Sequence, residues 1–358
     1  MELFNQISLF NQNSLNNIDI NSKEELLKFI KDLIKIEDIQ VVKNSLIKLK
    51  KLNKNKKIVN DYSCLEQDIE QMIESLTLER VRYYLNRLIK SLTQTKTSNV
   101  NDLDLNKWKQ YDDIITDSLW ILEKRDTTGA HNAEYWGNFI PQIPNQLFRR
   151  FTKQGEWVID TFLGSGTSLI ECRRLGRNGI GIELQGKVVE IAKSNINNEI
   201  NPFNIKTEII QGDCLEVDYN EILKNNNLKH VQFIIMHPPY WDIIKFSEYE
   251  NDFSNSKNLQ DFLDKINLLV SKTYPILQKG RHLAFVIGDK YSNGEWIPLG
   301  FYCMNEIMKA GYKLKSIIVK NFEETRGKKN QKELWRYRAL LGGFYVFKHE
   351  YILLFKKD

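Results

Sequence analysis

Trp157-Val-Ile-Asp-Thr-Phe-Leu-Gly-Ser-Gly-Thr167 is the stretch on which the reading of this 358-residue chain turns. A short apolar run, Trp157–Asp160, passes directly into Gly164 and Gly166, and a helical pattern begins near Ser168. Glycines at such a strand-to-helix turn let backbone N–H groups approach a ligand and aim a helix N-terminus at it, which favours an anionic group. Downstream, Gly179-Ile-Gly-Ile-Glu183 reads as the next strand, ending in an acid whose carboxylate can accept from both hydroxyls of a ribose. Gln211-Gly-Asp213 closes a third strand with another acid, where an adenine amino group could be met. Acids at successive strand ends beside a glycine loop point to a nucleotide-like ligand.

Working outward, short apolar strands alternate with helical stretches. Trp157–Asp160, Gly179–Glu183, Thr207–Gln211, Phe233–Met236, His282–Ile287, Lys313–Val319 and Glu350–Phe355 are the strand candidates. That rhythm specifies a doubly wound α/β sheet over residues 131–358. The part before it is helical. Ser22 caps a helix carrying Leu26, Leu27, Ile30, Leu33 and Ile34, and Val41–Lys57 holds seven lysines. Asp61–Leu92 reads as one long helix with Leu65, Ile69, Met72, Ile73, Leu76, Leu85 and Leu88 on its stripe. Residues 1–100 are therefore expected to form a helical N-terminal domain that clamps a duplex or dimerises. Residues 1–20, rich in Asn, are expected to be loosely docked, and 101–130 to be a linker with a helix over Trp108–Leu122.

A nicotinamide cofactor would suit the glycine loop and first acid almost as well. His237-Pro-Pro-Tyr-Trp241 decides otherwise. It follows an apolar strand, so a rigid Pro-Pro turn sits at the carboxyl edge of the sheet, where open α/β sheets bind ligands. Hydrogen-bond acceptors there can localise the lone pair of an amino nitrogen conjugated with a base ring, and the rings of Tyr240 and Trp241 offer stacking faces. Asp242–Lys257, behind the turn, reads as a mobile loop closing over a base.

These motifs resemble the amino-group DNA methyltransferases that use S-adenosylmethionine to make N6-methyladenine or N4-methylcytosine. Asp160–Thr167 looks like that family's first motif, and His131-Asn-Ala-Glu-Tyr-Trp-Gly-Asn-Phe139 is similar to the segment before it. Leu283-Ala-Phe-Val-Ile-Gly-Asp289 and Lys348–Lys356 look like its later strands. The resemblance implies a Rossmann-like methyltransferase domain. It also implies cofactor contacts from Asp160, Phe162, Gly164, Gly166, Thr167, Glu183 and Asp213, and a catalytic turn of His237, Pro238, Pro239 and Tyr240. No metal is implied, and an RNA base methyltransferase or a catalytically silent partner subunit are the competing readings. At its turn the chain departs from the family, whose turn begins with Asp, Asn or Ser rather than His. A neutral imidazole has one acceptor nitrogen and an imidazolium none, so activity is expected to fall as pH drops through about 6.5.

Composition is consistent with this. Hydrophobic residues at 42% and charged residues at 27% exclude wholesale disorder. No apolar run approaches a membrane span, and no secretory signal opens the chain, so a soluble cytoplasmic protein with no membrane partner is expected. Cys64, Cys172, Cys214 and Cys303 lie far apart, without a CxxC pair, and there is no Pro-Cys nucleophile pattern of the cytosine C5 kind. The net charge of +5 is concentrated late: residues 281–358 carry 15 Lys/Arg against 8 Asp/Glu. Within Asn321–Tyr345, Arg326, Lys328, Lys329, Lys332, Arg336 and Arg338 are interleaved with Trp335, Tyr337, Phe344 and Tyr345. This insert is the expected contact for double-stranded DNA. A companion restriction endonuclease and a homodimer are the other expected partners.

Overall fold

The computed structural model of the chain describes residues 20–56, 58, 62–132, 135, 137–322 and 332–358. The Asn-rich segment 1–19, the basic residues Arg326, Lys328 and Lys329, and the side chain of Lys332 lie outside the described residues. Contacts divide the chain into two units, Met1–Asn99 with Leu103–Ile114, and Val100–Asp102 with Ile115–Asp358.

The first unit is built from α1 (Lys23–Ile34), α2 (Ile39–Lys56), α3 (Leu65–Ile73) and α4 (Leu78–Thr93). Ser22 caps α1 by accepting the Glu25 N–H, and the Glu25 carboxylate accepts from the N–H of Asn21, the residue before the cap. The single helix expected over 61–92 is two helices. Thr77 takes an extended conformation and caps α4 by accepting the Arg80 N–H, and Leu76, assigned to the apolar stripe, is 91% exposed in the break. The core that closes the unit comes from Leu26, Ile30, Leu33, Leu46, Leu49, Ile69, Met72, Leu85 and Leu88. One carboxylate is buried with it: Asp68, 2% exposed, is met by Arg87 at 2.8 Å, Lys109 at 2.6 Å and the Tyr62 hydroxyl.

The helix expected over Trp108–Leu122 is absent as well. Leu105–Gln110 is a short 3-10 turn, and Leu119–Trp120 forms strand β1. Backbone pairing to a sheet edge and burial of the Trp120 ring prevail over a weak helical pattern in which Trp108 points to solvent.

The second unit carries β2 (Trp157–Asp160), β3 (Asn178–Glu183), β4 (Thr207–Gln211), β5 (Val231–Met236), β6 (Leu277–Ile287), β9 (Lys313–Asn321) and β10 (His349–Lys356), with a separate hairpin of β7 (Lys290–Ser292) and β8 (Glu295–Ile297). With β1 they form one sheet ordered β1-β9-β10-β6-β5-β2-β3-β4, parallel except for β10. Helices α5 (Gln142–Phe151), α6 (Thr167–Leu175), α7 (Gly186–Asn198), α8 (Tyr219–Asn225), α9 (Leu259–Thr273), α10 (Leu299–Lys309) and α11 (Lys332–Gly342) complete the unit. The doubly wound α/β architecture read from the sequence is the one observed. Ile159, Ile234 and Leu283 feed one apolar cluster, and Val158, Phe233 and Ala284 another. Burial on both faces explains why these strands read as continuous apolar runs. Among the described residues, no helix is long and apolar enough to cross a membrane.

Candidate active site

The sheet winds from β2 through β3 to β4 in one direction, and from β5 to β6 in the other. The carboxyl ends of the neighbouring β2 and β5 therefore open a crevice, the usual ligand position in open α/β sheets. A cavity of about 1080 Å³ lies there. Phe162, Gly164, Thr167, Glu183 and Asp213 line it together with His237, Pro238, Pro239 and Tyr240, so the glycine loop and the Pro-Pro turn share one space.

Two of the expected cofactor residues stand behind that wall. Asp160 is fully buried, accepting the Phe162 N–H at 2.9 Å and the Ser168 hydroxyl, and burial pushes its carboxyl up to about 6. Gly166 has φ +95°, and a β-carbon on it would sit 2.9 Å from Ile196 Cδ1. Both shape the loop instead of facing the cavity.

Glu183 ends β3 with its carboxylate pinned by the Gly164 N–H at 3.0 Å and the Gln185 N–H at 2.9 Å. A carboxylate has about four lone-pair sites, so acceptor capacity remains for a pair of hydroxyls. Burial raises its pKa in spite of those N–H groups. Asp213 accepts from the Leu215 N–H and the Asn251 amide, both at 2.8 Å. Apolar surface for a ring or thioether comes from Phe162, Leu163 and Ile182. This donor and acceptor set fits S-adenosylmethionine: hydroxyl acceptors at two strand ends, an apolar wall, and a glycine loop opening a helix.

The Pro-Pro turn differs from its sequence reading in one respect. Trp241, with φ +50°, donates its indole N–H to the Ser256 carbonyl, and the Lys290 ammonium covers its ring at 3.9 Å. It does not line the cavity, and Lys290 occupies one face of its ring. The Tyr240 hydroxyl donates to Glu350 Oε2 at 2.8 Å, and His237 Nε2 lies 3.1 Å from the same hydroxyl. Phe139 packs on His237 with ring centroids 5.1 Å apart. The segment expected to be a mobile loop, Asp242–Lys257, is anchored: Phe253 is buried edge-on against Phe162, and Asp252 holds Ser247 and Ser254.

Sequence reasoning missed Glu350 and Lys320, which face each other across β9 and β10 and line the same cavity. The available signal was slight: a lysine just past the Lys313–Val319 candidate and an acid opening Glu350–Phe355. Of the expected nucleic-acid contacts, Arg336 and Arg338 lie exposed on α11, with Arg338 over the Trp335 ring. Trp335, Phe344 and Phe347 line the cavity, and Phe344 stacks on Tyr291 at 4.0 Å. The four cysteines are free and buried, and burial pushes the thiols of Cys172, Cys214 and Cys303 up.

A DNA methylase family model matches residues 2–194 and 231–358. The chain belongs to the DNA methylase family. Type II methyltransferase M.MjaII of Methanocaldococcus jannaschii is 27% identical over 194 residues, covering 54% of this chain and 30% of that protein. Type II methyltransferase M2.DpnII of Streptococcus pneumoniae is 34% identical over 101 residues, 27% of this chain and 34% of that one. Type II methyltransferase M.HpaI of Haemophilus parainfluenzae is 28% identical over 137 residues, 36% and 43%. The chain thus spans less than half the length of these relatives. The family match skips 195–230, where Asp213 lies, so that residue's place in the site rests on the fold.

Proposed function

We propose that this DNA methylase transfers the methyl group of S-adenosylmethionine to the exocyclic amino group of a base flipped out of duplex DNA, N4 of cytosine or N6 of adenine. The observation that carries the reading is the single cavity in which the Glu183 and Asp213 strand ends face the His237–Tyr240 turn. Bound there, S-adenosylmethionine supplies a methyl group on an electron-poor sulfonium sulfur. Glu183 accepts from the ribose hydroxyls, Asp213 approaches the adenine, and Phe162 and Gly164 border the methionine part. Across the cavity, His237 and the Pro238 carbonyl accept from the two amino N–H groups of the base, turning its lone pair towards the methyl carbon. The rate gain comes from holding the reacting atoms in line. Buried, protonated cysteines support transfer without a covalent enzyme intermediate.

Arg336 and Arg338, with Arg326, Lys328, Lys329 and Lys332 of the same insert, are assigned to DNA phosphates. The names of the relatives support modification beside a companion restriction endonuclease, and the helical unit is the candidate surface for a second copy. The test is incubation with labelled S-adenosylmethionine and, separately, mixed-sequence duplex DNA, single-stranded DNA and RNA, followed by nucleoside analysis. Label in N4-methylcytosine or N6-methyladenine from the duplex is expected. Label in RNA alone would move the reading to an RNA enzyme, and cofactor binding without any transfer would favour a silent partner subunit.

A further inference from the structure

Four polar side chains run in line from strand β9 to the Pro-Pro turn. Lys320, 5% exposed, donates to Glu350 Oε1 at 2.9 Å; Tyr240 Oη donates to Glu350 Oε2 at 2.8 Å; His237 Nε2 meets Tyr240 Oη at 3.1 Å. The protons along this line can be assigned one by one. An ammonium only donates, an ionised carboxylate only accepts, and a phenol has a single proton. With that proton spent on Glu350, Tyr240 has only lone pairs left for His237. Nε2 must then carry a hydrogen, and in a neutral imidazole Nδ1 is left bare. Nδ1 has no hydrogen-bond partner among the described residues, and His237 lines the cavity.

We infer that Glu350, backed by Lys320, is a positioning residue that holds His237 in its Nε2–H form through Tyr240, so that Nδ1 presents a lone pair to the amino group of the target base. The inference rests on the amino-methylation reading. It explains how a histidine serves where the family places Asp, Asn or Ser: imidazole accepts at only one nitrogen, and which one is set by the partner of the other. Besides Tyr240, Glu350 and Lys320, the aromatic neighbour packed on His237 is Phe139, which cannot titrate. Burial pushes the imidazole down to about 4, which keeps the neutral form dominant at pH 7.

Glu350→Gln separates this device from a merely structural contact. Lys320 draws the new amide oxygen to itself, the amide NH2 faces Tyr240, and the phenol proton turns towards His237 Nε2. The imidazole proton then moves to Nδ1. The 15N spectrum of labelled histidines, with the His237 signals assigned by their loss in His237→Gln, is expected to show the Nε2–H tautomer in the wild type at pH 7 and the Nδ1–H tautomer in Glu350→Gln. The same variant is expected to lose 100-fold or more in kcat with the Kd for S-adenosylmethionine within twofold of wild type. In Lys320→Met/Glu350→Gln no ammonium competes for the amide oxygen, so Tyr240 can donate again. The Nε2–H signature and at least a tenth of wild-type kcat are expected to return. A wild-type Nδ1–H or imidazolium signature at pH 7 would overturn the inference, as would a tautomer change in Glu350→Gln with kcat unaltered. If the wild type methylates no nucleic acid, the amino-methylation reading fails, while the tautomer lock is still judged by the spectra alone.

Discussion

Gly288 lies so close beneath the Tyr240 ring that a β-carbon on it would sit 2.8 Å from Tyr240 Cε2. The residue after β6 is thus matched to the turn after β5, and any side chain there must push the phenol aside. Gly288→Ala is expected to separate the hydroxyl from Glu350, lowering kcat at least tenfold and stability by about 1–3 kcal/mol, the usual cost of overpacking. Steady-state kinetics and a thermal melt on the same preparation check both. A variant with wild-type kcat would show that the Tyr240 position does not matter to the reaction.

The pH dependence follows from burial. The motif alone predicts loss of the His237 acceptor near pH 6.5, whereas in the folded protein burial pushes that imidazole down to about 4. As far as His237 is concerned, kcat/KM is expected to be flat from pH 6 to 8 and to fall only towards pH 4. His282, 6% exposed, is likewise pushed down to about 4 by burial, with Lys356, Lys315 and Arg281 adding to the effect. Its unfolded form takes a proton near 6.5 and its folded form does not. Stability present above pH 6.5 is therefore lost as pH falls towards 4, by about 3 kcal/mol for this group. Denaturant unfolding at pH 7 and pH 4.5 should show a smaller difference in His282→Phe than in the wild type.

Asp160 and Glu183, both expected from sequence to touch cofactor, are predicted to differ. Asp160→Ala strands the Phe162 N–H and the Ser168 hydroxyl in a buried place and is expected to cost about 1–3 kcal/mol of stability. Glu183→Ala frees two N–H groups beside the cavity, where water can meet them. Its expected effect is at least a tenfold loss of S-adenosylmethionine affinity with a smaller change in Tm. Calorimetric titration and ligand-free melts distinguish the two; equal losses of affinity at unchanged Tm would return Asp160 to the binding surface.

In the helical unit, Asp68→Ala leaves the Arg87 and Lys109 cations and the Tyr62 hydroxyl without their shared carboxylate. Removing one member of a buried pair is strongly destabilising, and a loss of about 3 kcal/mol is expected in equilibrium unfolding. A change under 1 kcal/mol would show that solvent already satisfies these groups.

Trp157–Asp160 was legible to the residue because a strand buried on both faces is a short apolar run bounded by turn residues, and Thr207–Gln211, half-buried at the sheet edge, because its Ile209-Ile210 pair lies just before the Gly-Asp turn. The break at Leu76 was not, since one leucine fits a helical stripe whether or not the backbone continues; only the Thr77 cap and the exposure of Leu76 reveal it. Trp241 failed for a related reason. An aromatic beside a Pro-Pro turn suggests a stacking face, but Lys290, brought in by the strand that follows β6, already covers the ring.

The amino-acid sequence by itself determined the principal strands of the sheet, the glycine loop, the acids at the strand ends and the Pro-Pro turn, because each is written in neighbouring residues through backbone conformation and burial. The state of His237 is of another kind. It depends on Glu350, 110 residues along the chain from Tyr240, and on Lys320 opposite it, which meet only because antiparallel β10 is inserted between β6 and β9. Hydrogen bonds act over about 3 Å of space whatever the separation in sequence. The identity of the acceptor was therefore local information, and its proton was placed by the tertiary fold.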